Sequence, residues 1–228
     1  MTDSATKSRS RPVPAGNAEA GLGRAEATKR KLILAAEKLL GQRGFANVSQ
    51  RMVQKEAGQR NAAVVTYHYK SFDDLLLDVF SLRMGAINER RMALYAALDQ
   101  AGALDIRGIA RVLIEPLARE LLPRPEGNYY VRFLLQYFTD QSFRRLKLPL
   151  ELIQGVSLAR RRYRELRADL PAGECSERLS LCLGMIFHAL AMTEMDLELE
   201  QPDEAARQQL INDKTRRLVD ATVAVLAQ

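Results

Sequence analysis

The chain has 228 residues, 47% of them hydrophobic, which is enough apolar material for a sizeable core and excludes global disorder. Aromatic residues make up only 6% and Trp is absent; the surplus is Leu and Ala set between Arg and Glu, which favours helices over strands. The net charge of +6 is unevenly spread: residues 1–70 hold 13 Lys/Arg against 5 Asp/Glu, and the remainder hold 21 against 23. A basic N-terminal third suits a polyanion-binding segment, because neutralised phosphates release condensed counterions, although a solubilising basic tail has the same composition.

Met1 to about Gly23 mixes Ser, Arg, Pro, Ala and Gly without an apolar period and reads as a flexible basic tail, residues 1–23. It has no apolar core of the secretory type, so a cytoplasmic protein is expected. From Arg24 the pattern turns helical. Ile33, Leu34, Ala36, Glu37, Leu39 and Leu40 form a stripe that Gly44 should end as a C′ cap, with Phe45 plugging the core. Ser49 is the expected N-cap of a short second helix with Met52, Val53 and Ala57 inside, closed by Gly58. A third short helix is expected at about Asn61 to Tyr69, with Ala63, Val64 and Val65 inside. Residues 24–70 thus read as a helix-turn-helix head, the motif itself at about 49–69.

Ser71 should cap a long helix, with Asp73 and Asp74 in its first turn and Leu75, Leu76, Val79, Phe80, Ile87 and Leu98 carrying it to about Ala101. Further helical stretches follow at about Asp105–Leu122, Asn128–Gln141, Pro149–Ala168, Ser176–Glu200 and Pro202–Ala227, with Pro116 expected to kink the first. No segment alternates as a strand does. The expected fold is all-α, with about nine helices and residues 71–228 forming the body.

Cys175 and Cys182 stand at i, i+7, about 10 Å apart along one helical face, too far for a disulfide within that helix, and read as packed thiols. The longest apolar stretch, Leu181 to Met192, is too short to span a bilayer. Between Leu179 and Met192 the apolar residues occupy nearly every side of the helix, which must then be covered twice, once by its own body and once by a partner. The final helix adds Leu210, Leu218, Ala221, Thr222 and Val225, so a homodimer through the last two helices is expected; the centre of a monomeric core has the same pattern.

Over Thr28 to Phe80 the sequence resembles the tetracycline-repressor (TetR) family of transcriptional regulators. The resemblance lies in Ile33-Leu34-Ala35-Ala36-Glu37, Arg43-Gly44-Phe45, Ser49, Ala57-Gly58, Tyr67-His68-Tyr69 and Leu75-Leu76. It implies a dimer that binds a palindromic operator on double-stranded DNA, usually represses, and is released when a small-molecule effector enters the body. Two positions depart from the family pattern: Phe72 stands where Lys or Arg is common, and Val48 where Thr is common. Lys70 is then the candidate to supply the phosphate contact.

On such a head, the third helix meets base edges through its N-terminal end. That end offers Arg60, Asn61, Ala62 and Ala63, with Thr66 one turn on: Arg suits guanine, Asn suits adenine, and Ala or Thr methyls suit thymine. Tyr67, His68 and Lys70 suit phosphates, as do Ser49, Gln50 and Arg51 opening the helix before, where free backbone N–H groups add attraction. Thr28, Lys29 and Lys31 are candidates for the flanking backbone, and Arg9, Arg11 and Arg24 for a minor groove.

His68 has no Cys, His or paired carboxylate at ligand spacing, so no metal site is expected there. His188 reads as an interface or pocket histidine, and Arg160-Arg161-Arg162-Tyr163-Arg164 as a solvated or interface stretch rather than a nucleic-acid patch. Two histidines, two cysteines and no convergent acid–base motif give no basis for an enzyme or a cofactor. Effector-pocket candidates are Met84, Leu113, Tyr129, Tyr130, Phe133, Tyr137 and Phe138, which core packing would also explain. The leading expectation is a sequence-specific, ligand-responsive regulator; the alternative is a non-specific architectural DNA binder.

Overall fold

The computed structural model describes residues 15–61, 63–140 and 146–228, and every regular element among them is helical. The described residues form nine α-helices: α1 (Ala15–Arg43), α2 (Gln50–Glu56), α3 (Val64–His68), α4 (Phe72–Gln100), α5 (Ile106–Ala118), α6 (Tyr130–Thr139), α7 (Leu150–Leu166), α8 (Ala172–Glu200) and α9 (Glu204–Ala227). Short 3-10 turns follow α1 at Phe45–Asn47 and α5 at Arg119–Leu121. The all-α expectation holds.

The first helix starts at Ala15, ahead of the expected start near Arg24. Ala15, Ala18 and Ala20 belong to the residue type with the highest helix propensity, so this stretch forms helix without the apolar period whose absence suggested a tail. Residues 1–14, Arg9 and Arg11 among them, lie outside the described residues, as does the side chain of Arg24. Downstream, Leu32, Ala36, Leu39 and Leu40 are buried as the periodicity requires. Gly44 then leaves the helix at φ 74°, a left-handed conformation that glycine adopts without Cβ strain, while its N–H donates to the Leu40 carbonyl at 3.0 Å.

The inner face of α1 also carries a charge. Glu37 is 1% exposed, and its carboxylate accepts from Arg83 of α4 at 3.1 Å (Nε) and 3.3 Å (Nη2). Arg83 Nη2 also donates to Glu126 at 3.2 Å, in the segment before α6. Burial pushes the Glu37 carboxyl above its ordinary value, and the Arg83 charge opposes that rise. Phe45, 5% exposed, lies 5.7 Å from Phe133 of α6, so α1 and the turn after it are packed on α4 and α6 together.

The long helix α4 is capped as expected. Ser71 Oγ accepts from the Asp74 N–H at 3.1 Å, and Asp74 Oδ2 accepts from the Ser71 N–H at 2.9 Å, a reciprocal capping box. The helix runs to Gln100, within a residue of the expected end. Pro116 lies inside α5 without ending it.

The start of α6 has no side-chain cap of its own. Two of its free N–H groups are taken by Glu194, reaching from the last third of α8 to accept from Val131 N and Arg132 N at 3.2 Å each and from Arg132 Nε at 2.9 Å. A residue distant in sequence thus does what an N-cap does locally.

In α8, Cys175, Leu179, Cys182, Ile186 and Leu190 face inward, both thiols free and buried, and burial pushes the Cys182 thiol up to about 11. The apolar stretch belongs to one continuous 29-residue helix, the only described one long and apolar enough to cross a bilayer by length and composition. Its inner face instead packs on α6, α7 and α9 and carries the buried Glu194. On α9, Leu218 and Thr222, expected to face a partner, are buried within the chain at 7% and 0% exposure. Periodicity locates an apolar face but not what covers it; α5 covers much of this one.

Glu37→Ala should lower the unfolding free energy by about 2–3 kcal/mol, measured by urea denaturation, because it removes the buried partner of Arg83 and leaves that charge only its contact with the more exposed Glu126 among the described residues. Burial pushes the Glu194 carboxyl up to about 7, opposed by Arg132 and the two backbone N–H groups. The native carboxyl then keeps a proton that the unfolded chain has released, so this group's contribution falls as pH rises from the ordinary glutamate value of 4.5 towards about 7. Glu194→Gln should flatten that decline, read from urea midpoints at about pH 5 and about pH 8.

Candidate nucleic-acid interface

Ser49 caps α2 as expected, its hydroxyl oxygen accepting from the Met52 N–H at 3.3 Å. That bond uses one of the free N–H groups expected to attract phosphate; the Ser49 O–H remains as a donor. Inside α2, Val53 is fully buried while Met52 and Ala57 are half-buried, and Arg51 and Lys55 are exposed. Gly58, at φ 67°, turns the chain, its N–H donating to the Lys55 carbonyl at 3.0 Å. Lys38 of α1 holds Glu56 at 2.5 Å, fixing the end of α2 against α1.

The third helix is shorter than expected, five residues from Val64 to His68. Arg60 and Asn61 therefore lie in the turn before it, not in its first turn. The cause is visible in the side chains: Asn61 Oδ1 accepts from the Ala63 N–H at 2.9 Å, an Asx turn that competes with helical hydrogen bonding. Only Val65 is fully buried; Val64 is half-buried and Ala63, expected inside, is exposed. Ala62 lies outside the described residues.

This geometry alters what Asn61 can do. Gripping adenine at both N6 and N7 needs its oxygen and its NH₂ together; one lone pair of that oxygen serves the turn, and the other still accepts. Thr66 donates its hydroxyl hydrogen to the Ala63 carbonyl at 2.9 Å, which leaves its methyl and oxygen lone pairs outward.

Arg60, Asn61, Ala63, Thr66, Tyr67 and Lys70 are all exposed, and Gln50 and His68 are half-buried. Tyr67 is 81% exposed, unusual for a large ring, and stands edge-on to His68 with centroids 5.1 Å apart. Beneath them Tyr69 is buried under the Lys29 ammonium, 5.8 Å from the ring centroid. Lys29 also pairs with Asp78 at 2.8 Å, so its charge braces α1 against α4 rather than facing outward unopposed. Lys31 is exposed, and Thr28 is half-buried on α1. Lys31, Arg51, Arg60 and Lys70 form no ion pair with any described residue, nor do Arg43 and Lys55, exposed cations that the sequence reading passed over. The signal for those two was present, since both stand in the basic N-terminal third.

Phe72, at the first position of α4, is half-buried against the core, so this departure spends the position on packing. His188 is exposed on the outer side of α8. The Arg160–Arg164 stretch is mixed: Tyr163 is buried, Arg162 reaches the Leu104 carbonyl at 3.2 Å, and Arg160, Arg161 and Arg164 are exposed. Among the described residues no group of three or more His, Cys, Asp or Glu is arranged to hold a metal ion. Compared with known proteins, the chain matches no family model and no curated protein.

Asn61→Ala should lower stability by about 0.5–1 kcal/mol in urea denaturation, since the Ala63 N–H loses its acceptor. Arg60→Ala and Tyr67→Ala, at exposed positions without such bonds, should stay within about 0.5 kcal/mol of the parent.

Proposed function

We propose that the chain is a DNA-binding transcriptional regulator, in which α1–α3 form a helix-turn-helix head and α4–α9 a dimerising, effector-responsive body. The observation that carries this reading is the surface of α3 and the turn before it. Arg60, Asn61, Thr66, Tyr67 and Lys70 are exposed together on one short segment, with Val65 and Tyr69 anchoring it from below. The Tyr67 ring is 81% exposed, and its hydroxyl suits a phosphate oxygen. The excess of positive charge in residues 1–70 supports the same reading. Binding, rather than catalysis, and a cytoplasmic setting go with this function.

A symmetric dimer through α8 and α9 is part of the proposal. Leu181, Met192, Met195 and Leu199 are exposed at 69%, 42%, 39% and 79%, and with His188 they follow a spacing of three and four along one side of α8. Such a stripe is what a coiled-coil-like crossing with a second copy would cover. Leu210 and Ala221 lie at or near the surface of α9 and are its available apolar contribution.

Selection from random duplexes should enrich an inverted repeat with half-sites about one helical turn apart. Enrichment of no consensus, with affinity governed by salt alone, would replace this reading with a non-specific architectural binder. Lys70→Ala should weaken binding to all sequences alike and reduce the salt slope by about one, while Arg60→Ala should relax preference at one operator position. Leu181→Glu combined with Leu199→Glu should convert a sedimenting dimer to monomer.

A further inference from the structure

Three arginines among the described residues of the body are buried, and they differ in one respect. Arg83 pairs with Glu37 and Glu126, and Arg132 pairs with Glu194 and Glu198. Arg91 of α4, 3% exposed, forms no ion pair with any described residue. Of its five N–H groups, one is directed at the Met84 sulfur at 3.8 Å and one at the Leu113 carbonyl at 3.4 Å, both long contacts. Its Nε is buried with no acceptor. Burial pulls the guanidinium down to about 10, which still leaves it a cation at neutral pH.

The backbone around Arg91 is built for close approach. A Cβ on Gly155 of α7 would stand 2.8 Å from the Arg91 Cβ and 2.9 Å from Asn88 Oδ1. Asn88 binds α7 twice at that point, accepting from the Gly155 N–H at 2.8 Å and donating to the Glu151 carbonyl at 2.9 Å. The α4–α7 crossing therefore holds Arg91 in place without offering it a carboxylate.

Arg91 forms part of the wall of a cavity of about 240 Å³ among α4, α6, α7 and α8. The rest of the lining is largely apolar, Phe80, Met84, Leu134, Tyr137 and Phe187 among it, and its described residues include no Asp or Glu. Ser157 and Arg160 are the exposed residues of the lining and mark its solvent edge. Of the pocket candidates read from sequence, Met84, Tyr137 and Phe138 line this cavity; Leu113, Tyr130 and Phe133 are solid core, and Tyr129 borders a different, polar cleft. The cavity is below the roughly 300–1,000 Å³ of sites for drug-sized ligands, so it suits one ring or a short acyl chain.

We propose that this cavity binds a small apolar carboxylate, whose chain or ring packs against Phe80, Met84 and Tyr137 and whose anionic head pairs with Arg91. The pairing supplies the counter-charge that each of the other two buried arginines receives from the protein. Arg160 at the rim adds positive potential along the way in. The regulatory consequence rests on the function proposed above: Phe80 lies 4.8 Å from Phe133, which lies 5.7 Å from Phe45 beside the head, so the ring that meets the ligand is in a packed series reaching the DNA-binding helices.

The test is calorimetric titration of the full chain, without DNA, by hexanoate, octanoate and phenylacetate, each against its alcohol (1-hexanol, 1-octanol, 2-phenylethanol). At least one carboxylate should bind about tenfold or more tightly than its alcohol. Arg91→Met should bring that carboxylate to the level of its alcohol while melting, without ligand, no lower than the parent, because an unpaired buried charge has been exchanged for an apolar side chain. Arg91→Lys, which keeps the cation, should retain part of the preference and serves as the second variant if Arg91→Met does not fold. Equal affinity for acids and alcohols, undiminished carboxylate binding in Arg91→Met, or binding of none of the probes would overturn the proposal. Carboxylate binding by a chain that selects no DNA sequence would uphold this site and remove the regulatory reading alone.

Discussion

The buried pair of Glu37 and Arg83 is the constraint on which the arrangement of the molecule turns. Glu37 interrupts the apolar face of α1, and Arg83 the apolar face of α4, so each would be costly to bury alone. Together, and with Glu126 as a third member, they are satisfied at one relative position of α1, α4 and the segment leading to α6. A buried ion pair adds little stability over a well-packed apolar pair, but it excludes other packings: sliding α1 along α4 would leave two dry charges. That fixes the segment from α1 to α3 with respect to the body. Phe45 against Phe133, and Lys29 against Asp78 and Tyr69, hold the same alignment from either side.

The body repeats the device and then departs from it. Glu194 and Arg132 tie α8 to the start of α6, where the carboxylate also replaces a missing helix cap. Glu120, buried at the end of the α5 region, is held by Arg90 and Arg124. At each of these places charge is buried with its complement, and the helices meet in one register. Among the described residues Arg91 is the exception, and it lines a cavity. A buried cation without an ion pair among the described residues, beside an apolar space, has the chemical asymmetry that ligand recognition uses: an apolar wall for affinity and a polar group for orientation.

Helix limits were legible wherever a local signal set them. Ser49, Ser71, Asp105 and Asp203 all cap through their side chains, and Gly44 and Gly58 take the left-handed turn that their positions between apolar stripes demanded. Where the sequence misled, two local preferences competed. Asn61 was expected to open a helix, and its side chain instead closes an Asx turn, which shortens α3 and takes one lone pair of the oxygen expected to read a base. At Ala15–Gly23, the lack of an apolar stripe argued for a tail, while alanine propensity argued for helix, and helix forms. The buried arginines of α4 stand within the apolar stripe itself: Arg83, Ile87 and Arg91 share an i, i+4 row, and nothing local marks the two charges as buried.

The amino-acid sequence alone determined that this protein is helical, where most helices start and stop, which faces are apolar, and that positive charge gathers in the first third. These follow from interactions within a few residues: hydrogen bonds to the next turn, side-chain periodicity, backbone freedom at glycine. The tertiary structure decided what each apolar face meets, turning Leu218 and Thr222 inward and leaving Leu181 and Leu199 outward. It also decided which charges are buried and how they are matched, as between Glu37 and Arg83, 46 residues apart. A buried charge is defined by the groups that surround it in space, and those groups are brought together only when the helices pack.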